Sequence, residues 1–219
     1  MESGRGVYLS VGRHRRVPRR YRGKDFGWWE QALGLSDRTA ENVPPGGLPP
    51  LLTGVNGGQE VDFRRLAKDG VTLVGSLRAA EGGQLFFAPD LDENLAKGDE
   101  GIDAFTRLVD HYIFEHGLAA PEESRTTPVA SAMTSVGQLD IRTAGITSVI
   151  WATGYRYDFS WVKYPVLDDK GTPIHRRGVT TVPGLHFLGL RLLHKVKSAF
   201  LRGVGEDAAY LAQNIAART

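Results

Sequence analysis

The sequence predicts an α/β fold, and three stretches of the chain carry that prediction. Residues 146–161 read ITSVIWATGYRYDFSW, an apolar, β-branched run followed by small residues. This pattern is typical of a buried strand and the turn at its carboxyl end, although an ordinary turn has the same composition. Residues 7–11 predict a second strand, and apolar residues at helical spacing predict an amphipathic helix over 206–217. Open α/β sheets bind ligands at the carboxyl ends of their strands, so the turn at 152–154 is a candidate site for a dinucleotide.

The other elements follow in chain order. Residues 36–60 are rich in proline and glycine, and they predict a long surface excursion without regular structure. A capping-box pattern at 90–93 predicts the start of a helix. The further expectations are helices at 26–33, 62–68 and 102–116, a β-hairpin of 71–80 and 84–88 turning at 81–83, a loop or linker at 121–136, and a strand at 185–190.

Composition limits the classes of protein. The 219 residues, 41% hydrophobic and 24% charged, suit one or two globular domains. We find no apolar run of the roughly 18 residues that a membrane span needs, and no apolar segment behind the early basic residues as in a signal peptide. The absence of cysteine excludes disulfides, thiolate catalysis and cysteine-ligated metals. We therefore expect a cytoplasmic protein that makes no membrane contact.

Charge is concentrated at the start of the chain. Residues 1–25 carry a net charge of +6, so the remaining residues sum to −4. Arg13, Arg15 and Arg16 follow the strand at 7–11, where arginine in a nucleotide-binding α/β half accommodates the 2′-phosphate of NADP, and Ser10 adds a hydroxyl donor. Two other interpretations remain open, a solvated basic loop and a nucleic-acid-binding arm. The acidic remainder and the lack of a known nucleic-acid-binding motif argue against nucleic acid.

Other constellations do not indicate a catalytic or metal site. Residues 203–208 match G-x-G-x-x-A, but no strand directly precedes them and only eleven residues follow, so they predict the start of a helix. His111 and His116 are five residues apart, which does not place both on the helix face that a zinc pair needs. There is no G-x-S-x-G elbow. The sequence thus identifies no metal ligand and no catalytic acid, base or nucleophile.

Three segments resemble one family. The ATGY turn, together with VYLSVGRHRRVPRRYRGKDFGWW at 7–29 and GLHFLGLRLLHKVKSAFLRGVGEDAAYL at 184–211, resembles bacterial FAD- and NAD(P)H-dependent oxidoreductases related to flavin-containing monooxygenases. The resemblance implies a partial Rossmann-like, three-layer FAD/NAD(P)-binding fold with a β-hairpin and a C-terminal helix. Residues 1–145 would be the remainder of an NADPH-binding domain with insertions, and 146–219 the crossover and C-terminal part of an FAD-binding domain.

Both Gly-rich fingerprints of that family are missing, so the resemblance implies the C-terminal part of a longer flavoprotein, completed by an N-terminal half or a complementary chain. It implies that NADPH reduces FAD, which then reacts with oxygen or another acceptor. The implied cofactor-binding residues are Ser10, Arg13, Arg15 and Arg16 for NADPH, and Thr153, Gly154, Tyr155, Gly189, Gly203, Val204, Gly205 and Asp207 for the flavin. The alternatives are a non-catalytic fragment that binds a nucleotide or a partner chain, and a basic-arm nucleic-acid binder.

Overall fold

The computed structural model describes residues 4–43, 47–123 and 136–217. The chain divides into two compact units, one of Met1–Trp29 and Leu48–Ile150 and the other of Glu30–Gly47 and Trp151–Thr219. The strands are β1 (Tyr8–Ser10), β2 (Arg15–Arg16), β3 (Arg20–Tyr21), β4 (Lys24–Asp25), β5 (Pro50–Leu51), β6 (Thr72–Val74), β7 (Leu77–Glu81), β8 (Gln84–Phe87) and β9 (Gln138–Asp140). The α-helices are α1 (Phe26–Ala32), α2 (Phe63–Lys68), α3 (Leu91–Glu115) and α4 (Val204–Ala216).

The first unit is organised around a parallel pair of strands. β1 pairs with β6 in the register Tyr8↔Thr72. Alternate side chains of this pair, with residues of α2 and α3, form one apolar cluster that contains Val11, Leu73, Leu91 and Leu95 as buried members. Helices therefore cover one face of the pair, as in an α/β layer. The three-layer Rossmann-like fold remains a prediction.

Helix α2 matches the prediction for 62–68, and its start has a clear local cause. The Asp62 side chain accepts hydrogen bonds from the backbone N–H groups of Arg64 and Arg65. These groups are among the first-turn donors that have no partner inside a helix. Asp62 therefore fixes where α2 begins.

The predicted hairpin is present, but its first strand is divided. β7 pairs with β8 in antiparallel fashion across Gly82 and Gly83, and β9 adds to the other edge of β8. The stretch 71–80 breaks at Gly75, where an added Cβ would lie 2.0 Å from the carbonyl oxygen of Ala88. The strand is interrupted at Gly75 and Ser76, so β6 pairs with β1 and only β7 belongs to the hairpin.

Helix α3 joins two segments that the sequence predicts separately, the start at 90–93 and the periodic run at 102–116. It is one helix of 25 residues. The capping-box prediction is wrong, because Asp90 makes no side-chain cap and its Oδ1 instead accepts the backbone N–H of Ser76 at 2.8 Å. The Asp90 carboxylate is thus used to hold the segment before β7 and does not cap α3.

The predicted strand at 146–150 is wrong. Residues 146–157 form neither a strand nor a helix, and Val149 to Tyr157 are all exposed. A strand exists only when another strand satisfies its backbone groups, and the described part of the chain pairs none with this stretch. The predicted strand at 185–190 is likewise absent, apart from an isolated bridge between Val179 and His186.

The second unit packs around Val166, Phe187 and Leu193. Its longest helix is α4, which matches the prediction for 206–217. Helix α1 matches the prediction for 26–33. In the surface excursion at 36–60, the described residues form short 3₁₀ turns, β5 and isolated bridges. Part of the predicted linker at 121–136 lies outside the described residues. Among the described helices, none has the length and apolar character needed to cross a bilayer.

Candidate functional site

The carboxyl ends of β1 and β6 are joined by the first predicted site residue, Ser10. Its hydroxyl donates to the Gly75 carbonyl at 2.9 Å and accepts the Leu77 N–H at 3.2 Å. The Gly75 carbonyl follows β6, and the Leu77 N–H begins β7. Ser10 is thus an organising residue of this strand end, with its hydroxyl already engaged by the backbone.

The arginines that follow β1 have different environments. Arg13 is exposed and makes no hydrogen bond or ion pair with the described residues. Arg15 is half-buried in β2, where it pairs with Pro50 of β5. A guanidinium in solvent at the carboxyl edge of two parallel strands is well placed to meet an anion. Arg13 is therefore the clearest anion-binding candidate in the first unit.

Arg16 is buried inside a cluster of carboxylates. Its Nη1 lies 2.5 Å from Asp99, and its Nη2 lies 2.5 Å from Glu60 and 3.2 Å from Asp62. Its Nε donates to the Val61 carbonyl at 3.1 Å. This guanidinium has no free edge for a phosphate, and three carboxylates surround it. We therefore exclude Arg16 from the candidate cofactor site and regard it as a structural residue.

The balance of charge in this cluster is visible at Glu60. Burial raises the pKa of its carboxyl, and that effect outweighs the neighbouring Arg16 guanidinium. Arg64 is a second cation in the cluster, because its Nη1 forms an ion pair with Asp99 at 2.6 Å. The cluster fixes the segment after β1 against the start of α2 and, through Asp99, against the first half of α3.

His14 lies between the arginines and was missed by sequence reasoning. Its Nδ1 lies 2.9 Å from the Gly12 carbonyl, so Nδ1 carries the proton and Nε2 is an acceptor. Nε2 is buried without a hydrogen-bond partner, beside Gly98 of α3 and with the ring edge-on to Phe63. Burial lowers the pKa of His14, so the ring is neutral at pH 7. The signal that could have pointed to this contact is Gly98, which lies between the predicted helix start at 90–93 and the predicted helix at 102–116.

The second unit contains the predicted residues at the start of α4. Gly203 is required there, because an added Cβ would lie 2.2 Å from the Lys197 carbonyl oxygen. Asp207 is buried, and its Oδ1 lies 3.2 Å from Arg177 Nε and 3.9 Å from His194 Nδ1. Val204 and Gly205 complete the first turn of α4, where Gly205 is exposed.

Two lysines and two carboxylates form a network at the same helix end. Lys195 Nζ lies 2.9 Å from both Asp37 and Glu206, and Lys197 Nζ bonds the same two carboxylates. Hydrogen bonds from Lys197 and Lys195 lower the pKa of Asp37, and those from Lys195 and Lys197 lower that of Glu206. Because Glu206 and Asp207 occupy the first turn, the protein's own carboxylates already complement the α4 dipole.

The remaining predicted residues are not gathered around α4. Thr153, Gly154 and Tyr155 lie in an exposed stretch, with Gly154 at a φ of 87°. Gly189 has a φ of 78° and open space where a Cβ would be. In the described residues, no hydrogen bond or ring contact joins these four positions to the first turn of α4. The structure thus brings together Gly203–Asp207 but not the ATG turn.

A cavity in the second unit was not anticipated. It has a volume of about 530 Å³, and aromatic and aliphatic side chains form most of its lining. Phe159 packs edge-on against Phe187 at 5.7 Å between ring centroids. Trp161 and Tyr164 also line the cavity, and both residues are exposed. The described residues hold no cluster of His, Asp or Glu suited to a metal ion.

Comparison with known proteins adds a partial likeness to oxidoreductases. The chain is 54% identical over 71 residues to "Uncharacterized oxidoreductase CzcO-like" of Geobacillus kaustophilus (strain HTA426), which covers 32% of this chain and 20% of that protein. It is 46% identical over 77 residues to "Uncharacterized oxidoreductase CzcO" of Bacillus subtilis (strain 168), covering 35% of this chain and 22% of that protein. The CzcO of Bacillus velezensis (strain DSM 23117 / BGSC 10A6 / LMG 26770 / FZB42) is 45% identical over 71 residues, 32% of this chain and 21% of that protein.

The similarity is therefore strong but local, and the chain spans about a fifth of the length of the curated relatives it matches. No protein-family model matches the chain. No solved structure matches it. A third of this chain is thus similar to proteins named as oxidoreductases.

Proposed function

We propose that this chain forms the cofactor-binding part of an NADPH- and FAD-dependent oxidoreductase. The observation that carries the proposal is the local identity of 45–54% to three proteins named oxidoreductases. Identity at that level over about 70 residues supports a shared role for the matched region. The two cofactors, and oxygen as an acceptor in monooxygenase chemistry, are the finer part of the proposal.

The NADPH portion rests on Arg13. Its exposed guanidinium, free of internal carboxylates, fits the dianionic 2′-phosphate of the nicotinamide cofactor. We propose that Arg13 and Arg15 hold that phosphate and that Ser10 keeps the strand ends in place beneath it. When bound, the nicotinamide supplies a hydride. The protein's own residues bind and orient it.

The flavin portion fits less well. Gly203–Asp207 present two carboxylates at the start of α4, where a pyrophosphate would need free N–H donors and positive potential. The described residues also contain no dinucleotide fingerprint, that is, no strand followed directly by a G-x-G-x-x-G turn and a helix. We propose that Thr153, Gly154, Tyr155, Gly189 and the first turn of α4 contribute to a flavin site only together with a chain that supplies those glycines.

Arg13 provides the direct test of the NADPH site. We expect Arg13→Ala to weaken NADPH binding about tenfold or more, and to leave the weaker NADH binding unchanged, because only NADPH carries the 2′-phosphate. Arg5→Ala, another exposed arginine of the N-terminal segment, is the matched control. Isothermal titration of both cofactors measures the effect. Equal losses for NADPH and NADH would contradict the assignment.

The flavin is tested by visible absorption. The chain is mixed with FAD, freed of unbound flavin, and then given NADPH without oxygen. Retained flavin that bleaches supports an oxidoreductase that works without further chains. The carboxylates at the start of α4 favour the opposite result, a chain that retains no flavin. That result supports either the incomplete oxidoreductase or a non-catalytic nucleotide-binding fragment. Restoration of flavin binding by a polypeptide that carries both glycine fingerprints distinguishes these two.

A further inference from the structure

We propose that two copies of this chain pair through strand addition, with residues 147–151 of each copy adding to the free edge of β1 in the other. We name residues 147–151 the donor segment. The proposal is independent of the cofactors, so it stands or falls without them. It rests on two exposed and unpaired stretches, a segment with strand character and a strand edge.

The donor segment has the composition of a buried strand and none of its contacts. Within the described structure, the backbone of residues 147–157 makes no hydrogen bond. The exposed fractions are 56% for Val149, 89% for Ile150 and 69% for Trp151. Consecutive apolar, β-branched residues are typical of a strand covered on both sides. Exposed in water, the same residues favour association with a sheet edge.

The acceptor is the open edge of β1. The Thr72 N–H donates to the Val7 carbonyl at 2.9 Å, and the Val11 N–H donates to the Val74 carbonyl at 2.8 Å. Alternate residues of a strand direct their amides to opposite edges, so the N–H and C=O groups of Tyr8 and Ser10 point away from β6. Among the described strands, only β6 pairs with β1. This edge is ready to take a further strand.

The sequence also lacks the features that normally protect such edges. Natural edge strands carry charges, prolines or bulges that prevent pairing. Residues 7–11 and 146–151 contain no charged residue and no proline. Nothing in either stretch therefore opposes pairing with an uncharged strand.

A second copy is the occupant that the two features favour. One chain carries both halves of the contact and does not pair them with each other, so two chains can satisfy both halves in one closed, twofold arrangement. The exposed fractions of Val7 (43%) and Tyr8 (39%) add to those of the donor segment. Burying these five side chains in both copies removes roughly 1,200 Å² of surface from water, which reaches the lower range of stable interfaces.

Solution mass gives the first test. We expect light scattering after size exclusion to show a dimer at about 100 μM chain, and Ile150→Lys to give a monomer with unchanged helical circular dichroism. Val55→Lys is the matched control, because Val55 is an exposed β-branched residue of the first unit outside both stretches. A monomeric parent, oligomers that keep growing with concentration, or a dimer that survives Ile150→Lys would each overturn the proposal.

Cross-linking then tests the geometry. The chain has no cysteine, so single cysteines report cleanly. We expect a disulfide-linked dimer when Tyr8→Cys chains are mixed with Val149→Cys or Ile150→Cys chains under mild oxidation, since side chains opposite each other across paired strands have Cβ atoms about 5 Å apart. Val55→Cys replaces Tyr8→Cys in the control. If Tyr8→Cys chains cross-link to Val149→Cys and to Ile150→Cys chains no faster than Val55→Cys chains do, the dimer uses another surface.

Discussion

At the scale of single residues, neighbouring arginines have unrelated roles. Arg13 lies in solvent, whereas Arg16, three positions later, is surrounded by Asp62, Glu60 and Asp99. A pattern of basic residues cannot distinguish them, because the carboxylates come from distant parts of the chain. The difference decides which substitution affects a ligand and which affects folding.

We expect Arg16→Met to lower the free energy of unfolding by about 3–5 kcal/mol, because it leaves three partly buried carboxylates without their shared cation. Arg13→Met is the control and changes stability by about 0.5 kcal/mol or less, as usual for an exposed residue. Urea unfolding followed by circular dichroism measures both. A small effect at Arg16 would contradict the structural role that we assign to it.

His14 predicts a dependence of stability on pH. Burial lowers its pKa in the folded chain, so the unfolded chain binds a proton more readily. The contribution of neutral His14 to the free energy of unfolding is therefore fully present above the usual histidine pKa, about 6.5, and is lost as the pH falls below that value. We expect His14→Asn, which keeps a donor for the Gly12 carbonyl, to reduce the loss between pH 7 and 5. His175, whose pKa burial also lowers, leaves a residual slope.

The measurement for His14 is urea unfolding at several pH values in the parent and the variant. His111→Gln, a change at an exposed histidine of α3, serves as the control and keeps the parent's slope. The same slope in His14→Asn would show that the ring is not the group that titrates.

At the scale of elements, two glycines in helices predict opposite outcomes. A Cβ at Gly98 of α3 would lie 2.3 Å from His14 Nε2, whereas a Cβ at Gly205 of α4 meets nothing within 4 Å. We expect Gly98→Ala to destabilise the chain by about 1–3 kcal/mol through overpacking. Gly205→Ala gains up to about 1 kcal/mol, because alanine restricts the unfolded chain. Thermal unfolding of the two variants measures both changes in stability. A more stable Gly98→Ala variant would contradict the close contact between Gly98 and His14.

The stretch at 146–150 shows why an element prediction can be wrong although its pattern is strong. Its apolar, β-branched residues describe what a partner strand and two covering layers would bury. Strand formation depends on those partners, and no described strand pairs with this stretch within one chain. Helices depend on their own backbone, which explains why α1, α2 and α4 match their predictions within a few residues.

At the scale of the whole molecule, the N-terminal charge is largely neutralised from within. Arg16 and Arg22 form ion pairs with four carboxylates that lie outside residues 1–25, namely Glu60, Asp62, Asp99 and Asp110. The net positive charge that this segment presents to solvent is therefore smaller than the +6 counted over residues 1–25. This argues against the nucleic-acid interpretation of the basic arm.

We accordingly expect weak binding to a fluorescent single-stranded oligonucleotide of about 20 nucleotides, with a Kd above about 10 μM at roughly 150 mM salt, the range of non-specific contacts. Fluorescence anisotropy across several salt concentrations measures it. A submicromolar Kd that weakens steeply with salt would restore the nucleic-acid hypothesis.

The sequence by itself determined those features that depend on interactions between residues close together in the chain. Helical periodicity, the Asp62 cap and the double-glycine turn at Gly82 act over a few residues, so the positions of α2, α4 and the β7–β8 hairpin could be predicted. The NADPH proposal likewise began with arginines after a strand, which is also a local pattern.

Only the tertiary structure decided which groups are free and which are occupied. It placed Arg16 among three carboxylates from two distant segments, buried the Nε2 of His14 against a helix glycine, and occupied the start of α4 with Glu206 and Asp207. It also left residues 147–157 without backbone partners. Burial and pairing are properties of chain segments that meet in space, and no local pattern encodes which segments meet.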